Sequence, residues 1–315
     1  MSYDTLCIIM YIAPTVSAYE EQASMSKIKF ICDSNCDIPF DTAQKLDIDI
    51  LSFAISFEGQ EYREGISFTP EEYYEKLISL DYLPATAQIP PAEFAAALKR
   101  AYEGGYDCAI VTTMTSAGSG TYQSALLGRE LFYEACPRAG DSFAVHILDS
   151  GNYSIAYGNG VLRGARAHAE GAGETEVLEI MNRWFSSLET YFCVFTLKWV
   201  SRSGRISSAV STVCDMLGIC PVLQVLNGVF TTIKKPRGRK AALRHVAEKF
   251  RQRWDRESDY VFLRSISDAE ANELAAQIEA IAGKPPVDIF YAGASISTNT
   301  GPYITGTAFM AKETK

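Results

Sequence analysis

The sequence predicts an α/β protein of two domains, and three observations carry that reading. Its 315 residues exceed the size at which a single core usually stops growing. From residue 28 onward, apolar runs of strand length alternate with amphipathic helical stretches, the pattern of layered α/β folds. Past residue 160 the strands change character, from near-continuous apolar runs to segments paired around a hairpin turn. We therefore expect an N-terminal extension at 1–25 and a first domain at 26–160 with a mainly parallel sheet flanked by helices. A second α/β domain at 161–315 would have a mainly antiparallel sheet, its last strands able to pack back toward the first.

The elements follow in order. Residues 28–32 read as a buried strand, Asp37 with Pro39 as a helix start, and 48–57 as the next strand. Thr69-Pro70-Glu71-Glu72 supplies a cap, a first-turn proline and an acid at the third helical position, so a helix should run to about Leu80. Another follows at 91–103, closed by Gly104-Gly105. Residues 106–114 (YDCAIVTTM) form the apolar run expected of a parallel strand covered on both faces. A helix at 121–135, a strand at 143–148 and helices at 153–170 and 174–188 come next. In the second half 191–197 and 222–234 look antiparallel, the latter folded over Asn227-Gly228, a strong hairpin signal. Helices at 238–255 and 268–282 would cover one face.

Composition narrows the function. Hydrophobic residues make up 47% and charged ones 21%, as in an average globular protein. A net charge of −9 argues against a nucleic-acid partner, which would require a phosphate-binding face. The eight cysteines are irregularly spaced, lack a C-x-x-C pair and sit mostly in apolar runs, as small buried hydrophobes in a reducing, cytoplasmic setting. No metal site is expected from His146, His168 and His245, which are far apart in sequence. The apolar run at 6–14 lacks a basic flank and is far shorter than the ~20 residues that span a bilayer, so neither a secretory signal nor a stable membrane anchor is expected.

The most informative local feature is Thr115-Ser116-Ala117-Gly118-Ser119-Gly120-Thr121-Tyr122, where hydroxyls, glycines and a helix start converge at a strand end. That is a cradle for a small anion such as a carboxylate, although a capped strand-to-helix turn has the same sequence signature. It lacks the Gly-Lys-Ser/Thr ending of a nucleotide P-loop, and Gln123 stands where G-x-G-x-x-G needs its last glycine. Thr86-Ala87-Gln88 among prolines is a stiff polar loop that either offers another hydroxyl or simply connects elements. Arg205, in Ser203-Gly204-Arg205-Ile206-Ser207, falls at an expected helix start where the dipole disfavours a cation, so it faces an anion, a partner or solvent. Arg237 lies in the basic run Lys234-Lys235-Pro236-Arg237-Gly238-Arg239-Lys240, a type of run that is more often a solvated face. Residues 295–302 (SISTNTGP) are polar, carry a Gly-Pro turn and would form a third wall. No G-x-S-x-G elbow, H-E-x-x-H or histidine beside a candidate nucleophile is visible.

Taken in order, these segments resemble the DegV family over nearly the whole chain, from Lys27 to about Phe309. The resemblance is carried by Asp33-Ser34, Thr86-Ala87-Gln88, Thr115-Ser116 with Ser119-Gly120-Thr121-Tyr122, Asp149-Ser150, Gly204-Arg205-Ile206-Ser207, Arg237 and Thr300-Gly301-Pro302. It implies two α/β domains and one long-chain fatty acid in a buried tunnel, with no other cofactor. Thr86, Thr115 and Ser116 would hold the carboxylate. It also implies a non-catalytic carrier that presents its ligand to a separate fatty acid kinase, with Arg205, Arg237 and Asn299 serving the phosphate or the partner, and at most transient membrane contact. Three positions depart from the family pattern: Ala87 removes a hydroxyl, Cys220 replaces a lysine, and Asn299 replaces an imidazole by an amide that cannot carry a proton at neutral pH. A divergent binder of another apolar carboxylate, a lipid sensor and a serine-dependent acyl hydrolase are the alternative readings.

Overall fold

The computed structural model describes residues 26–205 and 218–312. The extension at 1–25, Cys7, Cys214, Ile206 and Ser207 lie outside the described residues. The first sheet has four strands, all parallel, in the order β2-β1-β6-β7, formed by β1 (Ile28–Asp33), β2 (Ile48–Leu51), β6 (Cys108–Thr113) and β7 (Ala144–Asp149). Every residue of β1 and β6 is buried, as two-sided coverage of a parallel sheet requires. Helices α3 (Pro91–Glu103) and α4 (Thr121–Ala135) pack on β6 and on each other.

The second sheet has six strands in the order β10-β9-β8-β13-β11-β12. They are β8 (Leu188–Val194), β9 (Val222–Leu226), β10 (Val229–Lys234), β11 (Tyr260–Arg264), β12 (Asp288–Tyr291) and β13 (Ile304–Met310). All its pairs are antiparallel except β11 with β12. Period-2 alternation sorts its side chains into two cores. From β8, Phe192 and Val194 join the core that runs through the first sheet, while Tyr191 and Cys193 face the helices α8 (Arg239–Arg253) and α9 (Asp268–Ala282). Helix α5 (Ile155–Ala169) touches β1 as well as β11 and β13, so it lies between the two large sheets. Helix α6 (Glu174–Ser187) packs beside it.

Several local expectations hold to the residue. Thr69 accepts from the Glu72 amide at 3.2 Å while the Glu72 carboxylate accepts from the Thr69 amide at 2.8 Å, a complete capping box on α2 (Pro70–Ser79). Pro39 precedes α1 (Phe40–Lys45). Asn227 and Gly228 turn the β9–β10 hairpin with φ of 49° and 75°, both left-handed as a type I′ turn demands. Cys32, Cys36, Cys108, Cys193 and Cys220 are buried free thiols.

Others need correction. The single strand expected at 48–57 is two strands in different sheets, β2 and β3 (Ala54–Phe57); β3 pairs antiparallel with β4 (Gln60–Arg63) and β5 (Ala85–Ala87) in a third sheet. The break falls where the Phe53 amide donates to Ser34 Oγ (2.9 Å) and its carbonyl accepts from the Glu64 amide (3.0 Å), which takes Phe53 out of any ladder. The polar segment 295–302, for which no helix is expected, is largely helix α10 (Ala294–Thr300). Its hydroxyls and amide bond back to carbonyls four residues earlier, Ser297 to Gly293 at 2.7 Å and Thr298 to Ala294 at 2.7 Å among them. The strand expected at 191–197 begins earlier, at Leu188.

Gly158 fixes how α5 meets the site. A Cβ there would stand 2.2 Å from the carbonyl oxygen of Cys36, which is main chain and cannot swing aside. Gly158→Ala should therefore cost about 1–3 kcal/mol of stability, whereas Gly140→Ala, with nothing within 4 Å and no positive φ, should be near neutral. Urea midpoints of the two variants check this; equal midpoints would show that the helix can move off the Cys36 carbonyl.

Candidate functional site

The strand order of the first sheet turns back between β1 and β6, and the crevice outside the carboxyl ends of strands at such a switch point is where open α/β sheets take ligands. Here those ends carry Asp33-Ser34-Asn35 and the segment 114–120. Asp33 accepts from the Asn35 amide (3.1 Å), the Met114 amide (2.7 Å) and the Tyr157 hydroxyl (2.5 Å), bending the chain into a 3-10 turn, Ser34–Cys36. The turn aims the Asn35 amide across the crevice, where Nδ2 donates to Ser295 Oγ at 2.9 Å and Oδ1 accepts from the Ser154 amide at 3.2 Å.

Asn35 and Ser295 border a cavity of about 180 Å³. Thr86 and Gln88 from the β5 loop, Met114 and residues 118–120, Tyr153, Phe230 of the hairpin, and Ile296, Asn299 and Thr300 of α10 complete much of its wall with Arg205. Arg205 is the one charged side chain lining it among the described residues. Tyr153 is stacked on Phe230 with centroids 4.6 Å apart and donates to the Gly228 carbonyl at 3.1 Å. Burial pushes its hydroxyl up to about 12, with the Arg205 charge opposing. The cavity is smaller than the roughly 300–1,000 Å³ typical of pockets that bury a drug-sized ligand.

The structure brings together Thr86, Arg205 and Asn299 on this one cavity, from positions far apart in sequence. Arg205 stands just past the end of a one-turn helix, α7 (Val200–Ser203), after Gly204 in the left-handed conformation, so no helix start is seen at the described residue itself. Asn299 spends one Nδ2 hydrogen on the Ser295 carbonyl at 2.8 Å. Thr115 is buried beneath the hairpin, its Oγ1 accepting from the Ala117 amide at 3.2 Å. At Gly228 a Cβ would lie 2.0 Å from that oxygen. Ser116 is exposed, and its amide donates to Asp149 at 3.2 and 3.3 Å. Arg237 is exposed beside Gly218 and does not line the cavity. Sequence reasoning missed Asn35, Tyr153 and Phe230; of these only Asn35, next to the Asp33-Ser34 strand end, carried a signal, whereas Ser295 lies in the segment 295–302 offered as a third wall.

Behind the cavity lies a carboxylate network. Glu64 accepts from Ser34 Oγ and from the Ser295 amide, both at 2.6 Å. Asp37 accepts from the Gly293 amide at 3.0 Å and from the Ser154 hydroxyl. Burial holds Glu64 above its ordinary range against those hydrogen bonds, and burial together with the Glu64 charge holds Asp37 well above it. Asp33 is pushed up to about 7 by burial, despite the hydrogen bonds from Tyr157, Met114 and Asn35 that favour its charged form.

This is a mixed α/β architecture, one parallel sheet and two mainly antiparallel sheets, with a small cavity at strand ends. The chain belongs to the DegV family: the model for uncharacterised proteins of that family matches residues 27–312. A DegV domain-containing protein of Clostridium perfringens is 30% identical over 254 residues, 80% of this chain and 88% of that protein. A solved DegV family protein from Thermus thermophilus, described by its fatty acid binding, superposes with a TM-score of 0.78 at 27% identity, covering 90% of this chain and 99% of that one. DegV of Bacillus subtilis, described as a fatty acid binding protein, gives a TM-score of 0.77 at 25% identity, covering 92% and 100%. Among the described residues no helix is long and apolar enough to cross a membrane.

The network makes stability depend on pH. Between the ordinary aspartate value of 3.8 and about 7, the unfolded chain has released the Asp33 proton while the folded chain keeps it. The stability from this group is thus full below 3.8 and is lost as pH rises through about 7, at up to about 1.4 kcal/mol per pH unit per proton. Urea unfolding at pH 4 to 7.5 should show this fall, and Asp33→Asn should flatten the slope by one proton. An unchanged slope in Asp33→Asn would place the proton on another group.

Proposed function

We propose that the protein is a non-catalytic cytoplasmic carrier of one long-chain fatty acid. Its carboxylate end lies in the cavity at the switch point, and the acyl chain follows the apolar wall that begins with Phe53, Met114, Phe230 and Ile296. The observation that carries this reading is the mixed lining of that cavity: Arg205 is its one charged side chain among the described residues, and Thr86 and Asn299 share the wall with the apolar Phe53, Met114, Phe230 and Ile296. An anionic head with an apolar tail matches both parts, and the fatty acid binding described for the Thermus thermophilus and Bacillus subtilis relatives names such a ligand. Burying methylenes contributes about 0.8 kcal/mol each, so the tail supplies most of the affinity. Hydrogen bonds to the charged head add about 1.5–3 kcal/mol each and fix which end faces out.

In this proposal Thr86 is the principal carboxylate donor. Thr115 and Ser116 contribute from the loop whose following residues, 118–120, form part of the wall. Arg205 and Asn299, at the cavity, and Arg237, exposed on the surface, serve the phosphate or the partner when the loaded carrier meets a separate fatty acid kinase. No cofactor beyond the lipid is required, and nucleic acid plays no part. Asn299 and Ala87 favour one variation, a different apolar carboxylate as the natural ligand.

Native mass spectrometry followed by denaturing extraction should find one fatty acid per chain, and Thr86→Val should weaken palmitate binding about tenfold, the loss of one charge-assisted hydrogen bond. With a fatty acid kinase supplied, Arg205→Ala should lose acyl-phosphate formation while retaining bound lipid. Recovery of another class of carboxylate would select the variation, and a protein that neither carries nor binds palmitate or oleate would overturn the carrier reading.

A further inference from the structure

A second and larger cavity, about 490 Å³, lies on the other side of the Ser34–Glu64–Ser295 partition, and the proposed fatty acid site makes no use of it. It opens between β12, at the edge of the second sheet, and the segments 37–40 and 64–72. Its walls are apolar: Ile38, Phe40, Ile66, Phe68, Ile289 and Tyr291. Of the large hydrophobic side chains exposed on the described surface, four meet here. Ile66 is 69% exposed, Ile289 46%, Phe40 38% and Tyr291 37%, a cluster that a water-facing surface normally does not carry.

Its charged groups are all of one sign. Asp37, Glu64, Glu71 and Glu72 line it, and no lysine, arginine or histidine does. Glu72 is spent on its capping box. Asp37 and Glu64 receive hydrogen bonds only from neutral donors, the Gly293 and Ser295 amides and the Ser154 and Ser34 hydroxyls, and neither enters an ion pair among the described residues. Burial holds both above the usual carboxylate range, as happens when a carboxylate is withdrawn from water without an opposite charge beside it. An anionic amphiphile would bring its head against these groups. A cation of matching size would supply the missing charge while its body covers the apolar wall. At this volume the cavity falls within the range of pockets that bury small ligands.

We propose that this cavity is a second ligand site, selective for an apolar cation: a protonated amine carried on a hydrocarbon or aromatic body. It is opposite in charge preference to the site across the partition, and its argument stands whether or not that site holds a fatty acid.

The test uses three probes with one body and different heads: octylamine, octanol and octanoate, titrated calorimetrically into the full chain at pH 7.5. Octylammonium should bind at least tenfold more tightly than octanoate, with octanol between them. Ile66→Lys places a cation at the mouth on a side chain already exposed, so the fold is retained; it should weaken octylammonium at least tenfold. Ile78→Lys, the same charge on an exposed position outside the cavity, should leave it within twofold. Equal binding of octanoate and octylammonium, or indifference to Ile66→Lys, overturns the proposal. So does a concentration-dependent dimer in sedimentation that Ile66→Lys dissolves, which would assign the cavity to a second copy of the chain.

Discussion

The buried carboxylate junction of Asp33, Asp37 and Glu64 is the constraint on which the site depends. Withdrawing a carboxylate from water is costly unless its oxygens are hydrogen-bonded. The donors that satisfy these three come from segments far apart in the chain: the Met114 amide after β6, Tyr157 of α5, Ser154 before it, and the Gly293 and Ser295 amides at the start of α10. Each bond costs the chain conformational freedom, and together they determine where both sheets and α10 sit. Ser154 shows how firmly: it has φ 57° and ψ −150°, a region nearly reserved for glycine, and is held there through its amide to Asn35 and its hydroxyl to Asp37.

From that junction the cavity follows. Asn35 and Ser295, joined at 2.9 Å, belong to the network on one side and to the cavity wall on the other. The hairpin turn of the second sheet closes over Thr115, and Tyr153 ties that turn to the loop at 118–120: a Cβ on Gly118 would lie 2.4 Å from the Tyr153 hydroxyl. The site is thus assembled by the meeting of two sheets. No single strand-to-helix turn could make it, which is why the segment 115–122, conspicuous in sequence, accounts for only part of the wall.

The same distinction explains what was legible beforehand. Local signals gave local answers: the Thr69 capping box, the Asn227-Gly228 turn, the Gly104-Gly105 stop and the unbroken strand before Met114 each depend on neighbours a few residues away. The division of 48–57 was invisible because its cause, Ser34 and Glu64 taking both main-chain groups of Phe53, lies outside the run. Residues 295–302 gave no helix signal because serine and threonine compete with helix formation. In α10 those hydroxyls instead bond back within the helix, whose first amides are anchored on Asp37 and Glu64. Thr86, Arg205 and Asn299 could be brought together in advance only through the family pattern, since nothing in their own neighbourhoods refers to one another. Thr115 and Ser116 stand one step behind the wall residues 118–120 for a reason also hidden in the sequence: the hairpin turn packs on the first, and Asp149 takes the main-chain amide of the second.

Asn299 then acquires a physical meaning. An imidazole in its place would change charge near pH 6.5, and the electrostatics of the cavity would change with it. The amide keeps one Nδ2 hydrogen on the Ser295 carbonyl and leaves the second available to the cavity, a donor that does not titrate. The positive character of the chamber therefore rests on a guanidinium, which stays charged across the physiological range. The carboxyls whose titration burial shifts, Asp33, Asp37 and Glu64, do not line this chamber. The fixed charge of the chamber and the response to pH are in this way carried by two different sets of side chains, with the Asn35–Ser295 hydrogen bond between them.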